Sequence, residues 1–327
     1  MKNIHWLIPR KINNSDLVVN DGLASIRLRC ALFNNQIFNQ YKINYNEKIT
    51  NLNNVDFLFV GKFVSKREDL FNLWSEYISE YRKKNKPIFF DYTDHHFQKK
   101  NIVTEFYEKN INRNDYIVVS SAKLKEHIAK QFTNLILIED PYEVDIMTPE
   151  NNNNNTFLFF GNAINLKYLV SILSKWDDKK EYTLIILSSL NGLRDLVESH
   201  FRNIKILKNL KIRLVPWSIE NLKAIAKSVS GIIIPGDVND NLKNGVSHNR
   251  LITSFALGLP VAATKYNSYL EFENFFADID NQDAFRSFLQ NPLQYSNKIT
   301  KVQEKIKQYS KENLARKWFE LIDNLKK

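Results

Sequence analysis

Glycine, cysteine and long apolar runs are what this sequence lacks. Eight glycines in 327 residues are roughly a third of the usual share, which excludes collagen-like, glycine-rich linker and propeller architectures. No G-x-G-x-x-G and no Walker A loop occurs, so the fingerprints of dinucleotide-binding dehydrogenases and P-loop NTPases are missing. The one cysteine, Cys30, cannot form an internal disulfide, and without C-x-x-C a thiolate zinc site is excluded. A reducing compartment is the expectation. No apolar run reaches the roughly 18 residues of a membrane span. The opening MKNIHWLIPRKINN is too short and too charged in its apolar part for a signal peptide. A cytoplasmic location is therefore expected.

What remains is an ordinary globular composition, 43% hydrophobic and 25% charged, enough for one large domain or two of about 150 residues. Lysine and arginine total 46 against 36 aspartate and glutamate, a formal charge of +10. Such an excess favours anionic partners: phosphates, nucleic acid or an anionic membrane face. No RNA- or DNA-binding motif accompanies it, so no nucleic-acid partner is expected. Basic clusters in the N-terminal half, Arg10-Lys11, YRKKNK at 81–86 and Lys99-Lys100, predict weak contact with anionic membrane surfaces, peripheral on the inner membrane face.

Strand and helix patterns alternate. Ile4–Ile8, Val55–Val60, Pro87–Phe90, Tyr116–Val119 and Leu135–Ile138 read as strands, because short apolar runs without alternation suit strands covered on both faces. Helical spacing follows at Ser25–Phe38, at Leu70, Leu73, Trp74, Tyr77 and Tyr81, and at Leu124, Ile128 and Phe132. Pro141, Pro149 and five consecutive asparagines at 151–155 then read as a linker. The pattern restarts with strands at Phe157–Phe160, Leu184–Leu187, Ile212–Val215, Ile232–Ile234 and Val261–Ala263, and helices at Leu166–Trp176, Ile219–Ala226 and His248–Leu257. A last helix, Ser310–Lys326, carries Leu314, Trp318, Leu321 and Leu325 on one stripe. The predicted fold class is α/β, two doubly wound parallel-sheet domains facing a cleft, with a C-terminal helix packing back. The expected boundaries are 1–145, 156–305 and 306–327. Ligands are expected at the carboxyl ends of strands.

The sharpest segment is KNGVSHNRLITSFALGLPV at 243–261. Leu251, Ile252, Phe255 and Ala256 form one apolar face, and Gly258 stops the helix before Pro260-Val261 opens a strand. A helix N-terminus presents free N–H groups and partial positive charge. With Lys243, Ser247, Asn249 and Arg250 around it, this one reads as a diphosphate cradle or as a capped core helix with solvated basic residues.

The run S-x-N-R-L-x-x-x-x-A-x-G-x-P-V at Ser247–Val261 resembles the donor-site helix of GT-B glycosyltransferases of the family 4 kind, including bacterial surface-polysaccharide enzymes. Phe157–Asn162 (FLFFGN), Val215-Pro216-Trp217-Ser218, the D-x-x-D-x-x-F segment from Asp91 to Phe97 and the closing helix Ser310–Leu321 are similar to other parts of that family. The resemblance implies a nucleotide-sugar donor bound by 156–305, with Asn162 at the sugar hydroxyls and Trp217 and Glu220 flanking the base. Where the family usually carries E-x7-E, this sequence has Gly245 and Thr253; the resemblance puts Thr253 at the donor ribose. No metal and no cofactor are implied, since the nucleotide-sugar is itself a substrate.

The N-terminal half offers Asp91, Asp94, His95 and His96 just after a strand end. Carboxylate beside imidazole suits general-base work near neutral pH. Asp94 or His96 would take the acceptor proton in an inverting transfer, whereas in a retaining one the resemblance has His95 or His96 contact the donor sugar. Ser25, Arg27 and Arg29 follow the first strand and are, with Asp91, acceptor-side candidates; the arginines could bind an anionic acceptor or the donor phosphates bidentately. The expected activity is transfer of a sugar from a nucleotide-sugar to a glycan or lipid-linked acceptor in bacterial surface polysaccharide synthesis. A non-catalytic phosphate- or nucleic-acid-binding module and a GT-B-like nucleotide-sugar epimerase are the alternatives.

Overall fold

The computed structural model describes residues 1–12, 18, 21–64, 66–97, 100–149, 152–173, 180–189, 209–240, 243 and 245–325. The chain divides into two compact units. The first is Met1–Asp140 with Asn244–Ser247 and Lys311–Lys327; the second is Pro141–Lys243 with His248–Ser310.

The first unit is built on a six-stranded parallel sheet of β1 (Lys2–Leu7), β2 (Tyr41–Asn46), β3 (Phe57–Val60), β4 (Ile88–Tyr92), β5 (Tyr116–Val119) and β6 (Leu135–Leu137), in the order β2-β1-β3-β4-β5-β6. Its central strands are apolar on both faces. Phe57 and Phe59 enter one core with Trp6, Phe33 and Trp318, while Leu58 and Val60 enter the other with Trp74, Ile78 and Phe106. The first core is closed by the C-terminal Lys311–Asn324 helix, whose Leu314, Ala315, Trp318 and Ile322 are buried. The Trp318 ring lies 5.6 Å from Trp6, 5.5 Å from Phe33 and 5.7 Å from Phe59. Gly61 marks where the chain leaving β3 passes β1. A Cβ there would sit 2.6 Å from the Leu7 carbonyl oxygen, closer than any real side chain stands.

Two local expectations differ from what is found. The helix expected over 25–38 is a short Ala24–Arg29 helix followed by 3-10 turns at Cys30–Asn34 and Gln36–Phe38. Asn35 breaks it: its backbone is extended and its side chain accepts a hydrogen bond from the Ile37 N–H at 3.1 Å, a local alternative to helix that asparagine favours. Strand β2 has no counterpart in the sequence reading, because YKINYN alternates apolar and polar instead of forming an apolar run.

The second unit is a six-stranded parallel sheet of β7 (Thr156–Phe160), β8 (Tyr182–Ser188), β9 (Leu210–Pro216), β10 (Gly231–Ile234), β11 (Val261–Ala263) and β12 (Ala277–Asp278), in the order β12-β11-β10-β7-β8-β9. The chain starts in the middle at β7, runs outward through β8 and β9, and returns to β10 on β7's other side. That reversal is a topological switch point, where open α/β sheets leave a crevice at the strand ends.

The segment read as a linker is bonded into this unit. Asn152 Nδ2 donates to the Lys227 carbonyl at 2.9 Å and Asn154 Nδ2 to the Ser228 carbonyl at 2.8 Å. The Met147 N–H donates to the Ala256 carbonyl at 2.7 Å. The division falls between Asp140 and Pro141, upstream of the asparagines. Among the described residues no helix is long and apolar enough to cross a membrane.

Candidate functional site

The switch point of the second unit gathers a glycine, an arginine side chain and a helix N-terminus. Strand β7 is followed by Gly161, whose φ of +140° lies in the region side chains rarely adopt. A Cβ on Gly161 would stand 3.4 Å from both Cδ and Nη1 of Arg250. Arg250 sits in the first turn of the Asn249–Ala256 helix, whose preceding residue, His248, makes no side-chain cap hydrogen bond. Leu251, Ile252, Phe255 and Ala256 are fully buried, which holds the helix against the sheet. The Arg250 Nη1 is itself buried and has no hydrogen-bond partner among the described residues. A cation with a spare donor, a glycine-lined approach and helix N–H groups together suit an anion such as a phosphate.

Tyrosine hydroxyls stand nearby. Tyr266 Oη accepts from the Asp237 N–H at 3.0 Å, and Tyr168 Oη donates to Asp240 at 2.6 Å. Burial pushes the Tyr168, Tyr266 and Tyr269 hydroxyls up; the Arg250 charge opposes it at all three, and a hydrogen bond with Arg250 opposes it further at Tyr269.

The other donor-side candidates are placed differently. Asn249 and Thr253, one turn apart, face away from Gly161: Asn249 Nδ2 donates to the Pro141 carbonyl at 2.5 Å, and Thr253 Oγ1 accepts from the Glu143 N–H at 3.2 Å. Thr253 is fully buried, so both residues anchor the segment that opens this unit. Ser247 falls in the first unit, where its hydroxyl bonds the Asp140 carboxylate. Lys243 is half-buried and its N–H donates to the Asp240 carbonyl. Asn162 is exposed, its Oδ1 accepting from the Ile164 N–H at 3.0 Å. Trp217 is half-buried, its N–H donating to the Ser188 carbonyl at 2.9 Å, and Ser188 Oγ donates in turn to the Gly161 carbonyl at 2.6 Å. Glu220 is exposed in the first turn of the Ile219–Ala226 helix.

In the first unit the acceptor-side candidates resolve into a buried ion cluster and a loop. Arg29 is fully buried. Its Nε donates to Asp91 at 2.9 Å, its Nη1 to the Ile138 carbonyl at 2.6 Å and to Asp140 at 3.3 Å, and its guanidinium lies 5.1 Å over the Trp318 ring. Arg29 and Asp91 therefore hold the sheet, the C-terminal helix and the 138–140 segment together; they do not face solvent. Arg27 is also buried and its Nη1 donates to the Asp21 carbonyl, while Ser25 is half-buried. In the loop after β4, Asp94 is ion-paired with Lys62. His95 is buried and stacks on His127 with ring centroids 4.9 Å apart; burial and then the neighbouring His127 push its pKa down. His96 stacks on Tyr107 at 5.2 Å, and its N–H donates to Tyr92 Oη at 2.7 Å. Asp94, His95 and His96 thus have separate partners. Among the described residues no three of His, Cys, Asp or Glu are placed to hold a metal ion.

No protein-family model and no curated protein matches the chain. Solved structures do. An alpha-glucosyltransferase in complex with UDP-glucose and DNA containing an abasic site superposes with TM-score 0.64 at 13% identity, over 99% of each chain. HepE of Anabaena, in complex with UDP-glucose, does so with TM-score 0.61 at 10% identity, over 99% of this chain and all of its own. AviGT4, a glycosyltransferase involved in avilamycin A biosynthesis, gives 0.58 at 11% over 98% and 96%. The fold is GT-B. Identities this low establish the two parallel-sheet domains and the closing helix, and nothing finer.

Within this GT-B chain, sequence reasoning passed over Gly161, Tyr168, Gly236 and Tyr266. The glycines were the available signal. In a chain with only 8 of them, one after β7 and one after β10 mark places where backbone comes close to something. A Cβ on Gly236 would lie 2.0 Å from Tyr266 Oη.

The Arg29 cluster carries a pH dependence. Burial raises the Asp91 carboxyl to about 6, against the pull of Arg29, and burial raises Asp140 as well. One guanidinium serves two carboxylates. An acid whose folded pKa exceeds its unfolded value of 3.8 keeps a proton that the unfolded chain has lost. Its contribution to stability is therefore full below about pH 4 and declines as pH rises toward 6. Asp91→Asn, which cannot titrate, is expected to flatten the wild-type decline across that window. Urea unfolding free energies of both proteins at pH 4, 5, 6 and 7 check this; parallel curves would contradict it.

Proposed function

We propose that the chain is a glycosyltransferase using a nucleotide-sugar donor, whose diphosphate lies against Arg250 and the first-turn N–H groups of the Asn249–Ala256 helix. The observation that carries this reading is the buried, unpartnered Arg250 Nη1 beside Gly161 at the switch point. Support comes from neighbours solved with UDP or UDP-glucose. In the reaction the bond from the anomeric carbon to the diphosphate oxygen breaks and an acceptor oxygen takes its place. The departing negative charge is what Arg250 and the helix dipole would stabilise. Asp94 or His96 takes the acceptor proton if the transfer inverts. We place the acceptor among glycans and lipid-linked saccharides of bacterial surface polysaccharide synthesis, with the membrane contact that a lipid acceptor demands.

A DNA acceptor is the second reading. It is favoured by the +10 charge and by the alpha-glucosyltransferase neighbour solved with DNA. The test begins with thermal melting in the presence of UDP, GDP, ADP, CDP and dTDP. A diphosphate that binds the folded chain stabilises it by about 2.7 kcal/mol at a hundredfold excess over Kd. No shift with any of the five would remove the donor site. With the nucleotide known, transfer of labelled sugar to lipid-linked oligosaccharide or to duplex DNA decides the acceptor.

A further inference from the structure

The edge of the first unit's sheet carries a cavity, away from the strand-end residues discussed above. The cavity, of about 520 Å³, follows β2, the outermost strand, and takes in every residue from Lys42 to Asn46. Its volume is that of a small-molecule site. Parallel pairing sets Asn3 beside Lys42 and His5 beside Asn44, and alternation turns this row away from Tyr41, Ile43 and Tyr45, which pack on the aromatic core. The lining mixes this polar row with Ile4, Ile12, Ile43, Tyr45, Ile49 and Val55. Lys11, Lys42 and Lys48 border the cavity, no aspartate or glutamate lines it, and among the described residues none of the three lysines has an ion-pair partner. The amides of Asn3, Asn44 and Asn54, also in the lining, make no side-chain hydrogen bond among the described residues.

The wall contains one further orphan. His5 is 6% exposed and its buried Nε2 has no hydrogen-bond partner among the described residues. Burial lowers its pKa to about 4, a backbone hydrogen bond with Asn46 opposing, so the ring is neutral near pH 7. An edge strand often carries lysine to discourage pairing with other strands. That accounts for an outward Lys42. It does not account for a polar imidazole buried in the cavity wall.

We propose that this cavity binds an anionic saccharide, a sugar bearing a phosphate or a carboxylate, with the lysines on the anionic group and the Asn amides on the hydroxyls. Amides both donate and accept, which matches vicinal hydroxyls, and charged hydrogen bonds to lysine supply the larger share. The inference does not depend on the donor reading, because it uses none of the same residues.

Calorimetry at low salt with glucose 6-phosphate, glucuronate, glucose and inorganic phosphate tests it, on wild type, on Lys42→Ala/Lys48→Ala and on Arg250→Ala. Both lysines are exposed, so the double variant should fold as wild type. The expected result is binding of glucose 6-phosphate or glucuronate, weakened about tenfold or more in the double lysine variant and unchanged in Arg250→Ala. Whichever of the two acids binds tighter tells phosphate from carboxylate. Loss in Arg250→Ala with full binding in the lysine variant would place the ligand in the second unit and overturn the proposal. So would inorganic phosphate binding as tightly as the sugar acids, or no binding of either acid.

Discussion

Arg29→Met is expected to lower the unfolding free energy by about 3–5 kcal/mol, the cost of removing one partner from a buried ion cluster. The side chain is fully buried and holds Asp91, Asp140 and the carbonyls of Ile138 and Glu139 at 2.6–3.3 Å. Methionine fills much of the same space, so the loss reports charge and hydrogen bonding more than a void. What remains is two buried carboxylates with their shared cation gone. They relieve the penalty by taking up protons, so the deficit should be smaller at pH 4 than at pH 7. Arg29→Lys keeps the charge but not the fork that reaches several acceptors at once, and should fall between. Adding Asp91→Leu to Arg29→Met should recover part of the loss, since it removes one of the stranded carboxylates. Urea titrations of the four proteins check the series. A loss under about 1 kcal/mol for Arg29→Met would mean that the cluster contributes little.

Arg250→Ala should behave in the opposite way. Its Nη1 has no hydrogen-bond partner among the described residues, so truncation leaves no acceptor of that nitrogen stranded, and stability should change by less than about 1 kcal/mol. Affinity for the nucleoside diphosphate should fall roughly ten- to hundredfold, the loss of one charged hydrogen bond. Transfer should fall further, by about 10²–10³ in kcat, because charge grows on the departing diphosphate in the transition state. Calorimetry and initial-rate kinetics separate the two effects. Loss of stability together with binding would mark Arg250 as a structural residue, and unchanged affinity would remove it from the donor site.

Much of the architecture is legible in the sequence for a simple reason. Central strands of a covered parallel sheet have no polar face, and VDFLFV, YIVV and FLFF fit little else. The edge escapes the same reasoning, since β2 keeps one face toward the core and the other toward the cavity. The asparagine run does not read as a bonded segment, because composition alone does not tell which amides find carbonyls. Asn152 and Asn154 use their amides to bond the carbonyls of Lys227 and Ser228, which a polar tract can do as readily as it can stay solvated. Arg250 stands out in its motif, but the glycine it lies against is on another strand. Arg29 and Asp91 are each visible as charges near strand ends; that they neutralise one another across 62 residues depends on the order in which β1, β3 and β4 lie side by side.

The closing helix has a consequence for how the protein is made. Trp318 supplies part of the core built on Trp6, Phe33 and Phe59, yet it is synthesised only after the second unit. The first unit begins emerging from the ribosome well before the second, but its aromatic interior stays open until the whole second unit has been translated. A nascent chain therefore carries an exposed aromatic surface for the time needed to add about 170 residues, on the order of 10–30 s at ordinary elongation rates. The second unit draws nearly all of its chain from one continuous stretch, Pro141–Ser310, and can finish first. Order of synthesis and order of completion are thus reversed, and the vulnerable interval for aggregation or proteolysis belongs to the half that appears first.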